Sequence, residues 1–356
     1  MLCVLSKTSA VAQSRFTTGL LAAAIAAGLS CGISPQALAG SMLDAVKEAG
    51  KISCGVAVEE QDWNKDDLHG SLAALDGEIC KSIAVAVFGD PGKAQIHPYA
   101  VEPDALEALK KGSADVVVGV TPSASSLAFY GVAFGPPIFY DAQGFMVHKA
   151  SHIGSLADLA GRKVCFIDGT ENGPILFAAM KARGIAFVPF PFQEEGEMDA
   201  GLVVGHCEAV TADISKLAQV RAEFHSMVND FVILAETLTL APVAPAYRQG
   251  DVQWGAIVDW TVHALVQAEA SGVTQANVAA LRKSEDPVIQ HLLGTDWSAG
   301  QALGLDREWA AHVIAALGNY GEIYARTVGE GSPLRLPRGL NALWTQRGLV
   351  QPLPVR

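Results

Sequence analysis

The sequence predicts an α/β fold, and three observations predict it. Apolar runs of strand type alternate with helical segments from residue 51 to about residue 213. Glycine, or Gly-Asp-Pro, follows the helical segments where the chain must turn. After Gly250 the spacing becomes helical and stays so to the end.

Taken in order, residues 51–58 read as a strand and residues 75–88 as a helix, stopped by Gly89-Asp90-Pro91. Residues 105–111 form a short helix ended by Gly112. Residues 115–120 are a continuous apolar run, the kind buried on both faces of a parallel sheet. Residues 155–159 read as helical, Gly161 turns the chain, and residues 163–167 form a strand. A helix over 173–183 ends at Gly184, and Phe187-Val188 opens another strand. Ala209-Val210-Thr211 is a strand that ends at Asp213. Further on, Trp254, Ile257, Val258, Val262 and Leu265 share one helical face.

The N-terminal segment reads as an export signal. Lys7 and Arg15 precede an uncharged stretch, residues 17–36, rich in Ala, Leu and Gly, and Ala37-Leu38-Ala39 is a small-x-small cleavage pattern. Residues 1–39 are therefore expected to be a signal peptide and the protein periplasmic, leaving about 317 residues for one large or two medium domains. The full chain has 25 bases and 37 acids; without Lys7 and Arg15 it has 23 against 37, or −14. No basic cluster remains, which argues against nucleic acid or an anionic membrane as partner. Four cysteines remain, Cys54, Cys80, Cys165 and Cys207, an even number in two groups that allows three pairings. None lies in a C-x-x-C spacing, so zinc and thiol-redox chemistry are not expected. H-E-x-x-H, G-x-S-x-G and Walker A patterns are absent, and neither a cofactor nor a metal is expected.

The C-terminal third carries a specific resemblance. Arg248-Gln249-Gly250-Asp251 with Trp254, Leu292-Leu293-Gly294, Gly318-Asn319-Tyr320-Gly321-Glu322, Gly331-Ser332-Pro333-Leu334 and residues 338–344 follow one another in this order. In these residues the chain resembles the periplasmic solute-binding component of amino-acid ABC transporters, nearest the general L-amino-acid-binding subgroup. The likeness runs over about residues 43–356. It implies a two-lobed type II binding-protein fold with two hinge crossings, closing on a ligand between the lobes, and a helical C-terminal extension. Mapped here, lobe 1 would hold 43–147 and 243–356, and lobe 2 would hold 148–242. The crossings would be Phe145-Met146-Val147 and residues 242–245. One disulfide per lobe, Cys54–Cys80 and Cys165–Cys207, keeps each bridge inside one lobe; four buried thiols are the alternative. The resemblance also implies an ABC permease as partner, and a monomer.

It further implies a set of ligand contacts. Gly169-Thr170 follows a strand and opens a helix, where free backbone N–H groups and the helix dipole receive a carboxylate. A plain strand-to-helix turn with Thr170 as cap is the alternative. Asp213 matches the acid that pairs with a ligand's α-ammonium; a turn or N-cap aspartate is the alternative. Trp63 matches an aromatic that covers the ligand, or packs on the surface. Thr121 matches a threonine that offers its hydroxyl. The family's arginine, five residues on, is Ser126 here, its acidic neighbour is Leu127, and an upstream arginine is Val118. No Lys or Arg occurs between Ser113 and Val147. Losing one partner of a buried charge pair costs about 2–5 kcal/mol. Glu171 adds negative charge beside Thr170, unless it serves only the helix N-terminus. The expected ligand is thus neutral or cationic, or an amine without a free carboxylate, unless Lys65 swings in as a replacement cation. The loop at residues 62–66 loosely resembles a calcium loop, but Asp67 and Ala73 stand at its sixth and twelfth places. Two other functions stay open: a binding-protein-like partner or sensor that no longer serves transport, and a dehydratase-like enzyme using Glu171 with Asp213 as its acid/base pair.

Overall fold

The computed structural model describes residues 41–58, 70–296 and 299–355. The predicted signal peptide, the loop with Trp63 and Lys65, and the calcium-like stretch lie outside these residues.

Helix α1 (Met42–Ala49) starts at Ser41, whose Oγ accepts the Asp44 amide at 3.2 Å, and stops at Gly50 with φ 67°. Next come β1 (Ile52–Ala57), α2 (Ala73–Phe88), β2 (Ala94–Tyr99), α3 (Glu102–Lys111) and β3 (Val116–Val120). β1 lies between β2 and β3 and is parallel to both, as the alternating pattern predicts. α2 is buried around most of its circumference and carries no polar stripe, because the sheet covers one side and C-terminal helices the other. α4 (Ala124–Tyr130), β4 (Val132–Phe134) and β5 (Phe139–Asp141) follow. They are too short to show a period in the sequence.

The chain then builds a second sheet from β6 (Gln143–His148), β7 (Lys163–Ile167), β8 (Val188–Phe192), β9 (Ala209–Asp213) and β10 (Phe231–Ile233), in the order β10-β6-β9-β7-β8. α5 (Asn172–Ala182), α6 (Glu195–Val203) and α7 (Ile214–Glu223) connect them. β7 is parallel to β8 and β9, whereas β6 is antiparallel to β9 and β10. β11 (Ala241–Arg248) returns to the first sheet, antiparallel to β3, β4 and β5. Its register shifts around Pro245, which has no N–H to give the ladder.

The passage between the sheets differs from the sequence expectation. Phe145, Met146 and Val147 are each 0% exposed and sit inside β6, paired on both sides. A run so apolar is a buried strand and not a hinge crossing. The chain changes sheet at Ala142, and again within residues 234–240, ahead of the expected 242–245 stretch.

Helices α8 (Val252–Ala270), α9 (Val278–Leu281), α10 (Pro287–Leu293), α11 (Gly300–Leu303), α12 (Trp309–Leu317) and α13 (Tyr320–Thr327) complete the layer against α2 and β11. The motifs behind the resemblance are structural here. Asp251 caps α8 at the Trp254 amide, and the Trp254 indole donates to the Asp115 carbonyl at 2.9 Å. Asn319 and Glu322 form a capping box on α13. The Arg338 guanidinium lies over Tyr320 and Tyr324 and pairs with Glu269 at 3.0 Å. Asn341 makes two hydrogen bonds to the Tyr140 backbone, tying the end of the chain to the first crossing.

Both expected disulfides are present. Cys54–Cys80 joins β1 to α2, and Cys165–Cys207 joins β7 to the residues before β9, so each bridge serves one sheet. Among the described residues, no helix is long and apolar enough to cross a membrane.

Candidate functional site

Gly169, Thr170 and Asp213 come together because β7 and β9 are adjacent and parallel, so the residues that follow them lie on one carboxyl edge. Thr121 follows β3 on the corresponding edge of the first sheet, beside β1. Facing surfaces of the two halves meet at a recess of about 110 Å³, lined by Ala57, Val58 and Ser71–Ala73 on one side and Ser215, Lys216 and Gln219 of α7 on the other. None of Thr121, Ser126, Gly169, Thr170 and Asp213 lines this recess; Gly169 and Thr170 open on a separate hollow with Phe166, Phe177 and Pro191.

Asp213 precedes α7 in extended conformation but makes no side-chain cap bond. The plain N-cap reading is thus not what the side chain does. Asp213 is exposed at the edge, yet loss of water around its carboxyl, first, and the charge of Asp141, second, push it up to about 6. Asp141 is a neighbour that sequence reasoning missed. It ends β5, is 7% exposed, and accepts hydrogen bonds from the Ala142 amide, the Ser215 amide and the Ser215 hydroxyl. Burial outweighs these bonds and raises its carboxyl as well. Its partner Ser215 lies 74 residues away, so no local signal marks it. The two carboxyls together make a strongly cation-attracting corner.

The turn after β7 turns backbone N–H groups outward. Gly169 has φ 78°, and the Thr170 hydroxyl donates to the Ile167 carbonyl at 2.9 Å and accepts the Asn172 amide at 3.3 Å. The Thr170 side chain thus closes the turn one residue ahead of the N-cap, Glu171, while the amides of Gly169 and Glu171 have no acceptor among the described residues. Glu171 is exposed and caps nothing with its side chain. Gln143, also missed, donates from Nε2 to the Asn172 carbonyl and the Thr211 hydroxyl, clipping the start of α5 to the sheet.

Ser126 stands where the resemblance places arginine, and it turns inward. It is 9% exposed, its amide donates to the Ser123 hydroxyl at 3.0 Å, and the Ser123 hydroxyl donates to its Oγ at 2.8 Å. It belongs to the cap of α4. Thr121 is exposed, and its amide donates to Glu102 at 3.2 Å. The base that does line the recess is Lys216, three residues past Asp213 and 2.9 Å from Glu195. Trp63 lies outside the described residues. No group of His, Cys, Asp and Glu suited to a metal occurs among the described residues.

Beneath the first edge, Asp76 of α2 is 3% exposed, and its Oδ1 has no hydrogen-bond partner among the described residues. It lies so close to Gly119 that a Cβ built there would fall 2.3 Å from Oδ2, and Gly119 has φ 90° besides. Burial alone pushes this carboxyl from 3.8 up to about 8, so the folded protein carries it protonated at pH 7. Because the folded pKa exceeds the unfolded one, stability falls as pH rises between those two values. Asp76→Asn, a neutral isostere, should remove that slope and raise stability at pH 7 by about 2–4 kcal/mol. Thermal melts of both proteins from pH 4 to 9 check this; parallel curves would refute it.

No protein-family model matches the chain. Curated proteins do. The chain is 38% identical over 340 residues to the general L-amino acid-binding periplasmic protein AapJ of Rhizobium johnstonii, covering 95% of this chain and 99% of that one. It is 35% identical over 346 residues to the glutamate/glutamine/aspartate/asparagine-binding protein BztA of Rhodobacter capsulatus, covering 97% and 99%. Among solved structures it is similar to a periplasmic binding protein of an ABC transporter from Brucella ovis with glutathione bound. There the TM-score is 0.73 and the identity 35%, with 89% of this chain and 99% of that one covered.

Proposed function

This chain belongs to the amino-acid-binding periplasmic proteins of ABC transporters, and on that premise we propose that it holds a small amine-bearing solute between its two sheets. It is a solute-binding protein for ABC import. The observation that carries the ligand proposal is Asp213: a carboxyl on the strand edge, without a cap bond, crowded by Asp141. A ligand ammonium would relieve that repulsion. The amides of Gly169 and Glu171 would take the ligand's polar end. With Ser126 folded into the cap of α4, no arginine grips a carboxylate from the first sheet. Amines, amides and cationic amino acids therefore suit the site better than an ordinary amino acid.

The lobes would divide with the sheets, the first boundary near residue 142 rather than 147. The remaining assignments follow the family: export through residues 1–39, a periplasmic location, delivery to a membrane permease, and a monomer.

A thermal-shift screen tests the ligand class, with amino acids, polyamines, betaines, amides, dipeptides and glutathione as the panel. A ligand at 100 times its Kd adds about 2.7 kcal/mol of stability. Shifts with amines or amides are expected, and Ser126→Arg should add shifts with ordinary amino acids. Strong shifts of the unaltered protein with several ordinary amino acids would overturn the ligand class. Silence across the panel would favour a partner or sensor role on the same fold.

A further inference from the structure

Behind the crossings lies a cavity of about 450 Å³ that none of the candidate ligand-site residues lines. Its walls come from four places: Phe139 at the first crossing, Leu234 and Ala235 at the second, Leu336 in the C-terminal segment, and Arg221 on α7. Phe139, Leu234, Ala235 and Leu336 are apolar, while Tyr140, Thr237 and Asn341 add polar groups to the lining. The Arg221 guanidinium is half-buried, donates from Nη2 to the Leu334 carbonyl at 2.7 Å, and pairs with no carboxylate among the described residues. Arg335, next along the chain with a left-handed φ of 46°, lines a neighbouring hollow and acts on Arg221 through its charge alone. Arg338 also lines the cavity, but Glu269 balances it. Burial, then Arg335, hold the Arg221 guanidinium below its usual range.

A guanidinium has five N–H donors in a planar fork that matches a carboxylate. Here one carbonyl answers it, and apolar walls stand beside it. We propose that this cavity is a second binding site, for a small molecule with an apolar body and one carboxylate that pairs with Arg221. The body would lie against Phe139, Leu234 and Leu336. Both chain crossings form part of the wall, so any rotation of one sheet relative to the other reshapes the cavity. An occupant that fits one arrangement better would shift the hinge toward it and so change affinity between the sheets.

The probes are octanoate, octan-1-ol and octylammonium, titrated calorimetrically into the purified protein. Octanoate should bind saturably and at least tenfold tighter than octan-1-ol, and octylammonium should not bind. Arg221→Gln should reduce octanoate to the level of octan-1-ol. Ala235→Trp, a substitution on an exposed wall residue, should abolish both. Asp213→Asn should leave octanoate binding unchanged. No saturable binding, octanoate binding that survives both cavity variants, or loss in Asp213→Asn would overturn the proposal. Should Arg221→Gln fail to fold, Ala235→Trp and the preference for octanoate over octylammonium decide.

Discussion

Asp213→Asn should weaken binding of an amine ligand by about 2–5 kcal/mol, or roughly thirtyfold to several thousandfold. The loss is large because the ligand's ammonium would keep its desolvation cost and lose its ionic partner. Folding should be spared, since the Asp213 side chain makes no cap bond and its charge opposes Asp141. pH gives a second signature. A bound cation holds Asp213 ionised, so binding must expel the proton that the free carboxyl carries below about pH 6. Affinity in the unaltered protein should therefore fall about tenfold for each pH unit below that point. In the free protein the raised carboxyl costs stability as pH climbs from 3.8 to about 6, and the Asn variant should lose that share of the slope while keeping the share from Asp76. Calorimetric titrations from pH 4.5 to 8 on both proteins, with the best ligand from the screen, check the whole set. An Asn variant that binds equally well, or a pH profile unchanged by the substitution, would remove Asp213 from the site.

Replacing either cysteine pair by alanine should cost about 3–4 kcal/mol. The Cys54–Cys80 bridge closes 26 residues and Cys165–Cys207 closes 42, so chain entropy gives the second a slight edge. All four residues are buried, which adds a packing loss to each variant. Melting points should drop by roughly 5 °C for each pair. The bridges serve different sheets and share no partners, so the quadruple variant should show nearly the sum. Melts under oxidising conditions test this. A drop below about 2 °C for either pair would mean that the bridge adds little beyond its packing.

Much of this was legible in the chain itself. The strands over residues 163–167 and 209–213 announce themselves as short apolar runs, and the second delivers Asp213 to its edge. Helix ends at Gly50, Gly89 and Gly112 follow from the left-handed conformation that only glycine adopts without strain. The cysteine grouping gave the pairing once two lobes were expected. What stayed hidden was of three kinds. β4, β5 and β10 have three residues each, too few for any period. Residues 145–147 read as a crossing although they lie inside β6, because an apolar run in isolation does not say which sheet buries it. Asp141, Gln143 and Arg221 act through contacts 74, 68 and 113 residues away, which no window along the chain can register.

The sequence by itself determined the α/β class, the order of most elements and the absence of a base at Ser126, and it grouped the cysteines without fixing their partners. Those are properties of local spacing, composition and residue identity. The tertiary structure alone decided that Ser126 turns inward, that Asp141 crowds Asp213, that Asp76 is buried without a partner, and that a cavity with an unbalanced arginine lies behind the hinge. Each of these depends on how far a charge is from water and which distant group faces it. Desolvation and Coulomb energies are set by three-dimensional neighbours, and chain order does not specify them.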